Sequence, residues 1–326
     1  MAVYTHLGAE QLAELIGHYD VGELVSAKGI AEGVSNSNWL VETSGRDRGG
    51  ARFILTMYER RIETSDLPFF LDLLDHLAAA GCPVPATIHD RDGASFRMIG
   101  AKAVALIEFL PGVSVDHPTP AQARAVGQAL ARIHMASSDF PKHRANSLGI
   151  ETSRDTLRAC GREALGSIDP DLPRAIDAAE ELARAWPDTL PQAICHTDLF
   201  PDNVLMLGDK VGALIDFYFA CDEAMAYDLA VTHASWSFRD AGRRFLPEVG
   251  AALLDGYEEL RPLSAAERDA LPALAQGACL RFVSSRAEDW LNTPPDALVT
   301  RKDPMDFTRR LDFYAENGAE VFARAR

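Results

Sequence analysis

His196-Thr197-Asp198-Leu199-Phe200-Pro201-Asp202-Asn203, followed by Ile215-Asp216-Phe217, sets out an aspartate, an asparagine five residues later and a second aspartate thirteen beyond that. Between them, Val204 to Leu207 reads as a short apolar strand, Gly208-Asp209-Lys210 as a turn, and Val211 to Asp216 as the return strand. Folding about Asp209 carries position 216 back opposite roughly position 202. Asn203 and Asp216 are therefore expected as neighbours at the open end of a hairpin, where two oxygen donors can share one hard cation. A sparse Asn/Asp pair suits Mg2+, which takes few carboxylates and completes its octahedron with water and phosphate oxygens. Asp198 lies one loop upstream, within reach of a hydroxyl aimed at a bound phosphate. A plain structural hairpin would use the same residue types, but the ordered set with this spacing is much rarer than its parts.

The bulk composition narrows the class. A chain of 326 residues is long enough for two lobes and a large core, and 47% apolar with 25% charged residues is ordinary globular composition. The net charge of −16 argues against sequence-independent binding to nucleic acid or to an anionic membrane. It does not oppose a nucleotide, whose phosphates are met by local amides and a metal ion. Cysteines 82, 160, 195, 221 and 279 are scattered, odd in number and without CxxC spacing, so a reduced compartment with no zinc or disulfide framework is expected. No signal-peptide pattern opens the sequence, and no apolar run approaches a membrane span. A cytoplasmic protein is expected.

Along the chain, residues 9 to 17 read as a short helix, followed by extended segments at Glu23 to Ile30, Asn38 to Thr43 and Arg52 to Glu59. Ser65-Asp66 is expected to cap a helix with Pro68 in its first turn, Gly81 past its end, and Leu67, Phe70, Leu71, Leu74 and Leu77 on one face. Strand-like runs lie around Phe96 to Ile99 and Val104 to Leu110, then Pro111-Gly112 breaks the pattern. Thr119-Pro120 starts a helix to about Ala136, and helical periodicity dominates onward. The expectation is an α+β protein: residues 1–110 as a sheet-rich lobe, 111–326 as a helical lobe, and a nucleotide site between them.

Taken together, these residues resemble the aminoglycoside-phosphotransferase and choline-kinase family of the protein-kinase-like fold, and within it the homoserine-kinase group. The likeness runs through Gly29-Ile30-Ala31-Glu32-Gly33, Asn36-Ser37-Asn38, Ile54-Leu55-Thr56, Asp66-Leu67-Pro68-Phe69-Phe70, His196 to Val204, Leu214 to Tyr218, Tyr227-Asp228-Leu229-Ala230 and Ala278 to Phe282. It implies ATP-dependent phosphorylation of the L-homoserine hydroxyl for threonine synthesis. Asp198 would be the base, and Asn203 and Asp216 the Mg2+ ligands. Gly33, Ser35, Asn36, Ser37 and Asn38 would belong to the loop over the ATP phosphates, and Glu108 to Leu110 to the hinge that meets adenine. The resemblance also places Thr56 where most of the superfamily carries a phosphate-binding lysine. Threonine is typical of the narrower group, and which cation replaces the lysine (Lys28, Arg52 and Arg60 are near in sequence) stays open.

Phosphoryl transfer rests on positioning and charge neutralisation. A primary alcohol is a weak nucleophile, so a carboxylate beside it orients the hydroxyl and takes its proton. Asp202 competes with Asp198 for that role, or binds the substrate ammonium, or is simply solvated. His196 and Asp228 are expected as braces, His134 as a packed core histidine. Arg281 is the candidate for the substrate carboxylate, with Tyr218 and Trp236 closing the pocket. Kinases for choline, ethanolamine, methylthioribose or aminoglycosides are the alternatives, and a non-catalytic nucleotide-binding protein stands behind them. Oligomeric state is not legible.

Overall fold

The structure, a computed structural model, describes residues 7–30, 36–59, 63–187, 189–293 and 301–323. Two compact units emerge: Met1–Gly112 with Gly212–Tyr218, and Val113–Val211 with Phe219–Arg326.

In the first unit, α1 (Ala9–Gly17) precedes β1 (Leu24–Ile30), β2 (Asn36–Thr43) and β3 (Ala51–Tyr58). After α2 (Leu67–Ala79) come β4 (Thr87–Ile88), β5 (Arg97–Ile99) and β6 (Lys102–Glu108). The strands pair antiparallel in the order β1-β2-β3-β6-β4, with β5 also on β6. Alternation gives the sheet two apolar faces. Trp39, Val41, Leu55, Met57, Val104 and Leu106 pack with Leu12, Leu15 and Ile16 of α1. Tyr58, Ala103, Ala105 and Ile107 pack with Leu67 and Leu71 of α2 on the other. All five apolar positions read from the sequence of α2 are buried. Its entry differs from expectation: a 3-10 turn at Thr64–Asp66 leads in, and Asp66 makes no side-chain cap. Gly81 follows the helix at φ 76, the left-handed turn that only glycine takes without steric cost.

The second unit is built on helices. Thr119 and Gln122 form a reciprocal capping box at the start of α3 (Pro120–Ala136), with Pro120 in the first turn as its fixed φ favours. There follow α4 (Ile150–Cys160), α5 (Arg162–Ile168), α6 (Arg174–Arg184) and β7 (Gln192–Cys195). Then β8 (Val204–Leu207) pairs with β9 (Lys210–Leu214) as a two-stranded hairpin, the return strand ending at Leu214 rather than at the expected Asp216. The rest comprises β10 (Cys221–Ala224), α7 (Met225–Trp236), the strand pair β11 (Phe238–Arg239) and β12 (Arg244–Phe245), α8 (Pro247–Glu258), α9 (Ala265–Asn292) and α10 (Met305–Ala323). Glycines let α3 and α8 touch backbone to backbone: a Cβ on Gly127 would sit 2.1 Å from Leu253 O, and one on Gly256 2.1 Å from Arg124 O. β7 and β10, too short to announce themselves in the sequence, pair with Cys195 opposite Cys221. β7 delivers the chain into the segment that matters most.

Candidate active site

That segment is the loop His196–Asn203, held by its own backbone. Thr197 lies at φ 60, a left-handed conformation that is a genuine outlier for a β-branched residue and costs on the order of 1–3 kcal/mol. All its polar groups are engaged. Its N–H donates to Asp228 Oδ1 at 2.7 Å, its hydroxyl to Phe219 O at 3.0 Å, and its carbonyl accepts from Arg281 Nη1. The kink fixes the direction in which the next residue, Asp198, leaves the loop. The Asp198 N–H donates to His196 Nδ1 at 3.2 Å, and the Asp198 carbonyl accepts from Asn203 Nδ2 at 2.8 Å and from the Phe200 N–H at 2.8 Å. The Asp198 side chain remains 18% exposed, enough for a small molecule to reach it.

Behind the loop sits Asp228, in the first turn of α7 and fully buried. Its Oδ2 accepts from the His196 N–H at 2.7 Å and lies 3.0 Å from His134 Nε2, whose Nδ1 is 2.8 Å from the Tyr257 hydroxyl. Burial pushes the Asp228 carboxyl up. The hydrogen bond and charge of His134, together with His196, outweigh burial and hold the carboxyl below its ordinary value. Asp228 is thus an anion whose oxygens bind two successive loop amides. His134, expected as plain core, is that anion's partner; nothing local to α3 in the sequence could have revealed it.

Two residues expected to line a substrate pocket are buried and bonded to carbonyls of the loop. Trp236 is 1% exposed and its indole N–H donates to Leu199 O at 3.0 Å, beside the Ser235 hydroxyl at 3.2 Å. Arg281, 4% exposed, points at the loop from α9. Arg286, five residues on, is paired with Asp306 at 2.9 Å, where Asp303-Pro304-Met305 leads into α10. Asp202 is exposed on the 3-10 turn Pro201–Asn203. Asn203 is half-buried there, and with its N–H spent on Asp198 its Oδ1 is left as an acceptor.

In the first unit, Thr56 lies opposite Asn38 in the β2–β3 register and donates its hydroxyl to Asn38 Oδ1 at 2.9 Å. Asn36, at the start of β2, is buried, with no hydrogen-bond partner for Oδ1 among the described residues. Ser37 donates to Glu59 at 2.6 Å, and Glu59 is paired with Lys102. Gly33 and Ser35 lie outside the described residues. Glu108 closes β6, its N–H bonded to Ala86 O at 2.9 Å, and half-buried Leu110 follows. Asp216 is exposed at φ 67 after β9. Tyr218 meets Tyr58, hydroxyl to hydroxyl at 3.0 Å, and packs edge-on to Phe70 at 5.7 Å. Burial raises both tyrosines above their ordinary value, and the nearby Asp216 charge adds to it, so both stay neutral donors.

The fold is similar to that of a spectinomycin phosphotransferase solved with ADP and spectinomycin: TM-score 0.70, 15% identity, over 98% of this chain and 99% of that one. The likeness establishes the fold, that of kinase-like phosphotransferases. The family described as phosphotransferase enzyme matches residues 26–263, and the chain belongs to it. Among curated relatives, a homoserine kinase of Caulobacter sp. (strain K31) is 48% identical over 324 residues, 99% of either chain. A homoserine kinase of Granulibacter bethesdensis is 45% identical over 315 residues, covering 96% of this chain and 97% of its own. No helix among the described residues is long and apolar enough to cross a membrane.

Proposed function

We propose that this protein transfers the γ-phosphoryl group of ATP to the side-chain hydroxyl of L-homoserine, forming O-phospho-L-homoserine and ADP on the way to threonine. The near-full-length identity of 48% to a homoserine kinase carries the reading. In it, the Asp198 carboxylate orients the hydroxyl and takes its proton as the new O–P bond forms and the β–γ bridge breaks. The loop geometry supports this choice, since Asp198 is directed by a kinked, fully bonded backbone while Asp202 is exposed on a turn. Asp202 then serves the substrate ammonium.

Asn203 Oδ1 and the exposed Asp216 carboxylate are both oxygen donors, as a hard divalent cation requires, and we assign them to Mg2+. Such an ion, when bound with ATP, neutralises phosphate charge. The phosphates fall to the segment Gly33, Ser35, Asn36, Ser37 and Asn38, with Thr56 behind it, and the unpartnered Asn36 Oδ1 supports a polar ligand at that end of β2. Adenine falls to the backbone from Glu108 to Leu110, and Tyr218 to the substrate side. Residues 1–110 thus serve the nucleotide, and 111–326 the acceptor and the metal ion. Free, scattered cysteines support a cytoplasmic setting.

The test is ADP release with ATP and Mg2+ across homoserine, choline, ethanolamine, methylthioribose and kanamycin. Selective turnover of homoserine is expected. Turnover of another alcohol instead overturns the substrate but keeps the reaction class, and no turnover with any overturns both.

A further inference from the structure

From its contacts, we infer that Arg281 is the positioning residue of Asp198, and not the ligand of the substrate carboxylate. The inference rests on the reading of Asp198 as the base. Three features carry it. First, one edge of the guanidinium is committed: Nη1 donates to the carbonyl of Thr197, the last polar group of that strained residue. Second, the guanidinium carbon lies over two rings, 4.9 Å from the Phe282 centroid and 5.4 Å from that of Phe219, which holds the group from both its own helix and the turn before β10. Third, Nη2 stands 3.8 Å from Asp198 Oδ1, with the arginine side chain 5% exposed.

That last distance is chemically apt. A carboxylate that must accept a proton needs to stay anionic yet keep an oxygen lone pair for the hydroxyl. A guanidinium in bidentate contact would occupy both oxygens; one just outside hydrogen-bonding distance favours the anion without capping it. A substrate carboxylate, in turn, requires an accessible guanidinium edge, and a side chain 5% exposed with one edge bonded to backbone offers little of one.

The experiment compares R281K and R281Q with the parent enzyme in homoserine turnover, with Asp198→Asn as a separate control on the base itself. R281Q is expected to lower kcat about tenfold to a hundredfold, within the range a positioned base supplies. Its KM for homoserine should change less than about threefold. R281K, which keeps a charge but loses the planar fork, should recover part of kcat. A KM raised tenfold or more with kcat retained overturns the inference and returns Arg281 to the substrate. A kcat no higher in R281K than in R281Q also overturns it, leaving only a structural role. Should R281Q melt well below the parent, R281K decides on the same criteria. An active Asp198→Asn variant refutes the base reading independently of either.

Discussion

Thr197 and Asp216 both take left-handed backbone, at φ 60 and φ 67, yet the surroundings differ sharply. Thr197 is 1% exposed, with every polar group bonded to Asp228, Phe219 or Arg281. Asp216 is exposed, and aspartate tolerates this conformation far better than a β-branched residue does. The difference teaches where rigidity is demanded. The loop bearing Asp198 is over-determined by side chains from α7 and α9, as the proposed role of Asp198 as a base would require. Asp216 is exposed, as a residue proposed to meet a hydrated cation would be.

The largest expected break in this contrast comes from Asp198→Asn, which should cut kcat by about 10²–10⁴-fold while ATP affinity stays near that of the parent. Single-turnover kinetics beside calorimetric ATP titration would read both, and a kcat within threefold of the parent would remove Asp198 from its role. Next comes Asp228→Ala, which leaves two loop amides and His134 without their buried anion. Denaturant unfolding should show a loss of about 3–5 kcal/mol, and a loss below about 1 kcal/mol would mean that the loop holds itself.

Acid should then expose the buried histidine of α7. Burial lowers the His233 pKa from 6.5 to about 3, so the folded state keeps it neutral while the unfolded chain takes up a proton. Stability is therefore complete above pH 6.5 and declines as pH falls toward 3, by about 1.4 kcal/mol per pH unit within that window. Asp228, depressed below its ordinary value, is likewise lost on acidification, but only as pH drops through its own lower pKa. His233→Gln should flatten the slope of Tm against pH between 6.5 and 4.5; an unchanged slope would assign it elsewhere. The smallest effect is expected in the first unit. Thr56→Val removes the hydroxyl bonded to Asn38 and should cost about 1 kcal/mol, with ATP KM reporting whether the hydroxyl also serves the nucleotide.

How much of this was legible follows the range of each interaction. Elements set by local chemistry were read to within a residue or two. The helix starting at Thr119-Pro120, the strand Val204–Leu207 and the apolar stripe of α2 all follow from capping residues, turn residues and periodicity. β7 and β10 escaped, since four-residue strands in apolar surroundings have no period of their own. Arg281 and Trp236 are expected as pocket residues because arginine and an aromatic suit a substrate amino acid; the carbonyls of Thr197 and Leu199 that they bond are 84 and 37 residues away in the chain, and no spacing encodes that.

The sequence by itself determined the order and spacing of Asp198, Asn203 and Asp216 around one hairpin, on which the proposed reaction rests, because that order is a local property of the chain. It also determined the two-part α+β architecture, through a change of periodicity near Pro111-Gly112. Tertiary structure alone decided how Asp198 is aimed. Asp228 from α7 and Arg281 from α9, with His134 of α3 behind Asp228, converge on a single strained residue, and a conformation that costs free energy persists only where distant elements close around it.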